Sequence, residues 1–281
     1  MTFSIVARSA DGSRWGVAVA SRYLAAGGAV PAAEAGAGAL ATQALANLGY
    51  RPQGLALLRA GLPAPAALAA LLAADDLREE RQIGIVDADG TSAGWTGSAC
   101  LEWAGGRTGP GYAIQGNILV GPEVVETMEQ AWTDSGDAAP LARRLFAALE
   151  AGDAAGGDRR GRQAAALLVV DSAAGRGQGA DTSLDLRVDD HPDPIGELGR
   201  LLTMGELYFG APDPDAVLPL EGTLADEVAA RLERLGHHSL VGWMETENYE
   251  SRRVDGGIDP VVLERLREAT PHWSQPPPHG R

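Results

Sequence analysis

The second residue of the chain is a threonine, in the opening stretch "MTFSIVAR". With Met1 removed, that one residue carries both a nucleophile and a base. Its hydroxyl can attack an amide or ester carbonyl. Its α-amino group can accept the hydroxyl proton, directly or through water. An α-amino group titrates near ~8, close to neutral pH, whereas a lysine at ~10.4 must be perturbed to do the same work. A residue as small as threonine at position 2 permits ordinary methionine removal, so no self-cleaving propeptide is required. The plain alternative is that Thr2 opens a strand, a conformation threonine favours.

Five further side chains have types suited to such chemistry. Arg22, after "GVAVAS", has the planar fork that grips a carboxylate, or else closes a salt bridge of the fold. Gln43 in "ATQAL" and the backbone N–H groups beside it can serve as oxyanion donors, or Gln43 is a satisfied core amide. Asn117 in "QGNILVG" can do the same, although Asn after Gly is also ordinary turn chemistry. The densest polar cluster is "GGDRRGRQ". There Asp158 can orient the α-amino group, and Arg162, with Arg159 and Arg160, can hold an anionic substrate or neutralise Asp158. Gly-Gly-Asp is equally a helix-to-strand turn. Thr2, Asp158 and Asn117 are thus the candidate catalytic residues, and Arg22, Gln43 and Arg162 the candidate substrate contacts. Asp189, Asp190, His191 and Asp193 crowd together, but alternation puts only Asp189 and His191 on one face, too few ligands for a metal. Cys100 reads as a small buried hydrophobe.

Composition narrows the partners. The 281 residues carry a formal net charge of −15 and no lysine. That balance repels phosphates, which excludes nucleic acid and anionic membrane surfaces. Schiff-base or general-base lysine chemistry is excluded outright. One cysteine permits no intrachain disulfide. No run approaches the ~20 consecutive apolar residues that span a bilayer, and Arg8 and Asp11 interrupt the first apolar run too early for an export signal. The expectation is a cytoplasmic protein without metal or other cofactor. Hydrophobic residues make up 45% but aromatics only 5%, so the core must be built from Ala, Val, Leu and Ile.

The elements that must position these residues can be read from period and punctuation. "TFSIVA" and "RWGVAVAS" flank the turn "SADGS" and predict an antiparallel hairpin. "GALATQAL" is a third strand. "PQGLALLRAG" and "APAALAALLAADD" are helices split at Gly61-Leu62-Pro63. A second hairpin, "RQIGIVDADGTSAGWTG", turns at Asp89-Gly90, and "GPGYAIQGNILVG" holds another strand. Helices at about 121–133 and 138–150 follow, the second expected to end at Gly152. "RQAAALLVVDS" is a strand buried on both faces, paired with "SLDLRVDD". Asp193 and Pro194 are the N-cap and first residue of a helix to about Tyr208. This order predicts an α+β fold, a four-layer αββα sandwich over 1–209. A Pro/Asp-rich linker at 210–222 leads to a small helical domain at 223–270, whose last helix Asp259 caps, and then to a disordered tail at 271–281.

The blocks "TFSIVAR", "GVAVASR", "GAGALATQAL", "RQIGIVD", "QGNILVG", "ALEAGDAAGGDRRGRQ" and "DLRVDDHPDP" together resemble the bacterial domain of unknown function 1028. That resemblance covers about 2–209 and implies the αββα fold of N-terminal-nucleophile (Ntn) hydrolases. Ala164 departs from the family pattern, which carries a serine there. "ENYESRRVDGGIDPVVLERLRE" resembles a class of domains named for peptidoglycan binding. A looser resemblance, to the proteasome β-subunit, places that enzyme's catalytic aspartate near Ser21 and its later aspartate at Asp158. It finds no counterpart for the catalytic lysine, and Gly161 replaces a serine. The resemblance implies an amidohydrolase with Thr2 as nucleophile, acting on a small amide or peptide-like substrate, and a homodimer. The alternative is a non-catalytic binding or envelope-associated protein on the same scaffold.

Overall fold

The computed structural model describes residues 2–171 and 181–271. Met1 and the expected tail from 272 onward lie outside the described residues. Strands β1 (Thr2–Arg8) and β2 (Arg14–Ser21) form the predicted hairpin, whose turn is held by Asp11 accepting from Ser9 Oγ and from the Ser13 N–H. A single helical turn, α1 (Ala26–Ala29), leads into β3 (Pro31–Glu34) and β4 (Gly38–Ala44). Helices α2 (Tyr50–Arg59) and α3 (Ala64–Ala73) follow, split where the sequence predicts. Next come the hairpins β5 (Arg81–Asp87) with β6 (Ser92–Thr96), and β7 (Gly105–Gly109) with β8 (Tyr112–Asn117). Helices α4 (Glu123–Asp134) and α5 (Leu141–Ala154) precede β9 (Ala164–Asp171) and β10 (Thr182–Val188). Helix α6 (Pro194–Phe209) starts as expected, with Asp193 Oδ1 accepting the Gly196 N–H at 3.2 Å. The chain continues through β11 (Leu218–Pro219), α7 (Gly222–Arg234), α8 (Leu240–Thr246), β12 (Gly257–Ile258) and α9 (Pro260–Ala269).

Two antiparallel sheets organise the first of two compact units, residues 1–201. One is six-stranded, in the order β10-β9-β2-β1-β8-β7, and the other four-stranded, β3-β4-β5-β6. The first unit is therefore mixed α+β. Alternation along β1 explains the packing. Phe3 turns toward α5, where a Cβ on Gly152 would lie 3.3 Å from its ring. Val6, two residues on from Ser4, turns the other way and meets Val17, Val19, Ala39, Ala41, Val86 and Ala113 between the sheets. Those side chains are small, so the sheets approach closely, which is how a core poor in aromatics is packed. Helices α4 and α5 lie against the six-stranded sheet. The outer face of the four-stranded sheet, with Leu40, Ile83 and Ile85, packs on Leu58, Leu68 and Leu71 of α2 and α3.

Gly152 does not end α5, which runs to Ala154. The glycine sits inside the helix because Met128 and Phe3 close over it; a Cβ there would stand 2.7 Å from Met128 Cγ. Strand β7, "GGRTG", escapes sequence reading because it contains no apolar residue to alternate.

The second unit, residues 202–281, has its own core of Val228, Leu232, Trp243, Met244, Val262 and Leu266. Asp259 caps α9 as predicted, accepting the Val261 N–H at 2.8 Å, and its other oxygen accepts from Arg252 Nη1 at 2.8 Å. No helix among the described residues is long and apolar enough to cross a membrane.

Candidate active site

Thr2 is the first residue of β1, a central strand of the six-stranded sheet. Its side chain shares a face with Ser4 and Val6, so it points between the sheets. It is 6% exposed, and its Oγ1 lies 3.0 Å from Ser21 Oγ on β2. On the other side, Thr2 is paired in register with Asn117 of β8. From the opposite sheet, Gln43 Nε2 donates to the Thr2 carbonyl at 3.1 Å. Three of the predicted residues thus meet at one strand end.

The layer between the sheets changes character toward this end. Beyond the Val and Ala cluster it becomes a ladder of buried amides. Ser4 Oγ donates to Gln43 Oε1 and accepts from Gln115 Nε2, both at 2.7 Å. Gln82 Oε1 accepts from Gln43 Nε2 at 2.8 Å and from Asn117 Nδ2 at 2.9 Å. Gln82 Nε2 donates to the Gly116 carbonyl at 2.7 Å. Gly84 makes room for the ladder, since a Cβ there would stand 2.1 Å from Gln115 Oε1. Ser4, Gln82 and Gln115 are functional candidates that the motif reading missed. Their signal is a polar residue at an inward position of an otherwise apolar strand, in "TFSIV", "RQIGIV" and "YAIQGN".

Asp158 is buried beside β8, bridged to Leu119. Its Oδ2 accepts the Arg22 N–H at 2.7 Å and its Oδ1 the Arg160 N–H at 2.8 Å. Through the first of these bonds it holds the chain segment that carries Ser21 and Arg22. Arg22 is exposed, and its Nη1 donates to the Arg160 carbonyl at 3.3 Å. Arg162 instead pairs with Asp153, Nε to Oδ1 at 2.8 Å, and that hydrogen bond pushes its guanidinium pKa still higher. Arg22, Asp158, Gly161, Arg162, Gln163 and His191 help line a cavity of about 590 Å³. His191 Nδ1 is engaged with the backbone of Asp193, and Asp190 accepts from Gln163, so the 189–193 cluster is a capped turn at the cavity wall. Burial pushes the Cys100 thiol pKa up, away from the thiolate that reacts.

Backbone strain gathers at the same end. Ala25, Ala44 and Ile118 have positive φ of 53°, 67° and 51°. They follow the Arg22 loop, Gln43 and Asn117 respectively. Such geometry costs an ordinary residue about 1–2 kcal/mol and collects where a site over-determines the chain. Ala44→Gly should therefore raise stability by about 0.5 kcal/mol, read as a small rise in Tm, because glycine relieves the strain and loses only part of the gain to its own flexibility.

Known proteins place this architecture. A model described as a family of unknown function, DUF1028, matches residues 2–198. The chain belongs to the DUF1028 family. A second model, described as "Putative peptidoglycan binding domain", matches residues 208–266 of this DUF1028 protein. Protein SPO2555 from Silicibacter pomeroyi, a solved DUF1028 structure, is 29% identical with a TM-score of 0.65, covering 80% of this chain and 92% of its own. Anbu (ancestral beta-subunit) from Yersinia bercovieri is a far looser likeness, 12% identical with a TM-score of 0.35, covering 72% of this chain and 94% of its own. No curated protein matches the chain.

Proposed function

We propose that this DUF1028 protein is an Ntn amidohydrolase on a four-layer αββα scaffold, with Thr2 as nucleophile once Met1 is removed. The observation that carries this reading is the placement of Thr2. It heads a central strand, its hydroxyl is held by Ser21, and a cavity opens beside Arg22 and Asp158. A helical pair packed on the outer face of each sheet supports the scaffold. In the reaction, the α-amino group takes the hydroxyl proton as Oγ1 attacks the amide carbonyl. The C–N bond breaks, the amine leaves with that proton, and water then cleaves the acyl ester and restores Thr2. Gln43 is committed to holding the Thr2 carbonyl and Gln82, so its role is positioning. Asn117 Nδ2 keeps a second N–H beyond its bond to Gln82, a donor for the developing oxyanion.

Intact-mass spectrometry tests this directly. The purified protein should weigh less than the full sequence by one methionine residue. Incubation with a β-lactone should add the lactone mass to the peptide beginning at Thr2. Thr2→Ser should keep the adduct and Thr2→Ala should lose it while melting normally. Retention of Met1 ends the proposal.

A second reading rests on the match over 208–266. In it, the second unit tethers the protein to peptidoglycan. The full chain should then co-sediment with insoluble peptidoglycan and not with chitin; equal retention on both removes the idea.

A further inference from the structure

The large apolar side chains left exposed in the first unit are not scattered. Among the described residues they all lie on loops at the Thr2 end of the sheets. Tyr23 and Leu24 follow β2, Leu45 and Leu48 follow β4, and Leu101 and Val120 flank the β7–β8 hairpin. Leu77, just before β5, completes the set. The turns at the other end, at 9–13, 35–37, 88–91 and 110–111, contain no Leu, Ile, Val, Met or aromatic residue.

Leu45, Leu101 and Val120 are each tied to the site by a short path. Leu45 stands two residues beyond Gln43, which holds the Thr2 carbonyl. The Leu101 carbonyl accepts the Ile118 N–H at 2.8 Å, one residue past the cross-strand partner of Thr2. Val120 covers Gly156 at the cavity wall, where a Cβ would stand 2.8 Å from its Cγ2. An apolar collar is therefore gathered on the loops at the strand ends that carry the nucleophile, and at Val120 it reaches the wall of the charged cavity.

The cavity holds one distinctive cation. Its neighbours are neutralised, Arg160 by Asp158 and Arg162 by Asp153. Arg22 has no carboxylate partner among the described residues, and its backbone is pinned by Asp158. Gly161 faces it, so close that a Cβ would lie 3.2 Å from Nη1. The guanidinium is exposed at the cavity wall, with its Nη1 donating to the Arg160 carbonyl at 3.3 Å.

We infer that the substrate is an N-acyl amino acid, an apolar acyl chain joined by an amide to a group bearing a carboxylate. This rests on the Ntn reading of Thr2. The acyl chain lies on the collar, the carboxylate pairs with the Arg22 fork, and the amide carbonyl between them meets Thr2 Oγ1. The acyl group passes to Oγ1 as the C–N bond breaks, and the amino acid leaves with the proton taken by the α-amino group. Water then releases the fatty acid.

Binding to the Thr2→Ala protein tests the ligand class without needing turnover. N-octanoylglycine should bind at least about tenfold more tightly than N-ethyloctanamide, which lacks the carboxylate, or N-acetylglycine, which lacks the chain. Arg22→Gln should remove the first advantage. The double variant Leu48→Ser, Leu101→Ser should remove the second and leave N-acetylglycine binding as it was. Equal binding of the three ligands overturns the inference. So does a change in sedimentation mass in the collar variant with chain-length preference intact, because the collar then covers a second copy of the chain. On the protein with Thr2 intact, N-octanoylglycine should release glycine. Selective binding with no lactone adduct at Thr2 would retire the nucleophile and leave the ligand class standing.

Discussion

Gln82→Leu should cost about 3 kcal/mol and lower Tm by about 10 °C, although leucine is near glutamine in volume. Gln82 is completely buried and joins both sheets. Its Oε1 is the partner of Asn117 Nδ2 and one of the partners of Gln43 Nε2. Its Nε2 also reaches Thr96 Oγ1 at 2.9 Å. Leucine removes all of these while leaving the opposing polar groups enclosed, and a buried polar group without a partner costs about 1–3 kcal/mol. β-Lactone labelling of Thr2 should slow as well, because the amide that anchors the Thr2 carbonyl loses its own anchor. Differential scanning calorimetry and a labelling time course read the two effects. A Tm within about 2 °C of the parent would mean that the ladder contributes little.

Asp75→Ala should be costlier, at about 4 kcal/mol, because it breaks a buried ion pair by removing one partner. Asp75 Oδ2 accepts from Arg81 Nε at 2.9 Å, Tyr50 Oη at 2.8 Å and Asn47 Nδ2 at 2.9 Å, and Oδ1 accepts the Leu77 N–H at 2.9 Å. Arg81 is itself buried, so the variant strands a charge. The same contacts make a pH prediction. The Arg81 hydrogen bond, followed by those of Asn47 and Tyr50, holds the Asp75 carboxyl well below the usual carboxylate range. A carboxyl depressed in the folded state contributes stability above its ordinary value near ~4, and that contribution fades as pH falls toward the folded value. Urea midpoints should therefore drop below pH ~4 in the parent, with a shallower drop in Asp75→Ala. Parallel acid limbs would show that Asp75 is not the group responsible.

Much of this was legible in the sequence. The Asp11-Gly12 and Asp89-Gly90 turns mark their hairpins, and Asp193-Pro194 and Asp259-Pro260 mark helix starts, because each signal is local. The ladder was not, because its members lie on four strands and meet only through register. Gln43 and Asn117 have the type and the place of oxyanion donors, yet what fixes their orientation is Gln82, whose position in "RQIGIVD" carries no sign of that role. Arg22 and Arg162 looked alike in sequence. Only the position of Asp153 on α5 separates the paired arginine from the open one.

The missing lysines acquire a practical meaning beside the buried environments of the other weak acids. Burial pushes the Tyr50, Tyr112 and Tyr249 phenols and the Cys100 thiol upward. With no lysine in the sequence, the α-amino group is its sole primary amine. One amine-directed isotope label thus becomes a reporter on a single atom, the base proposed to start the chemistry.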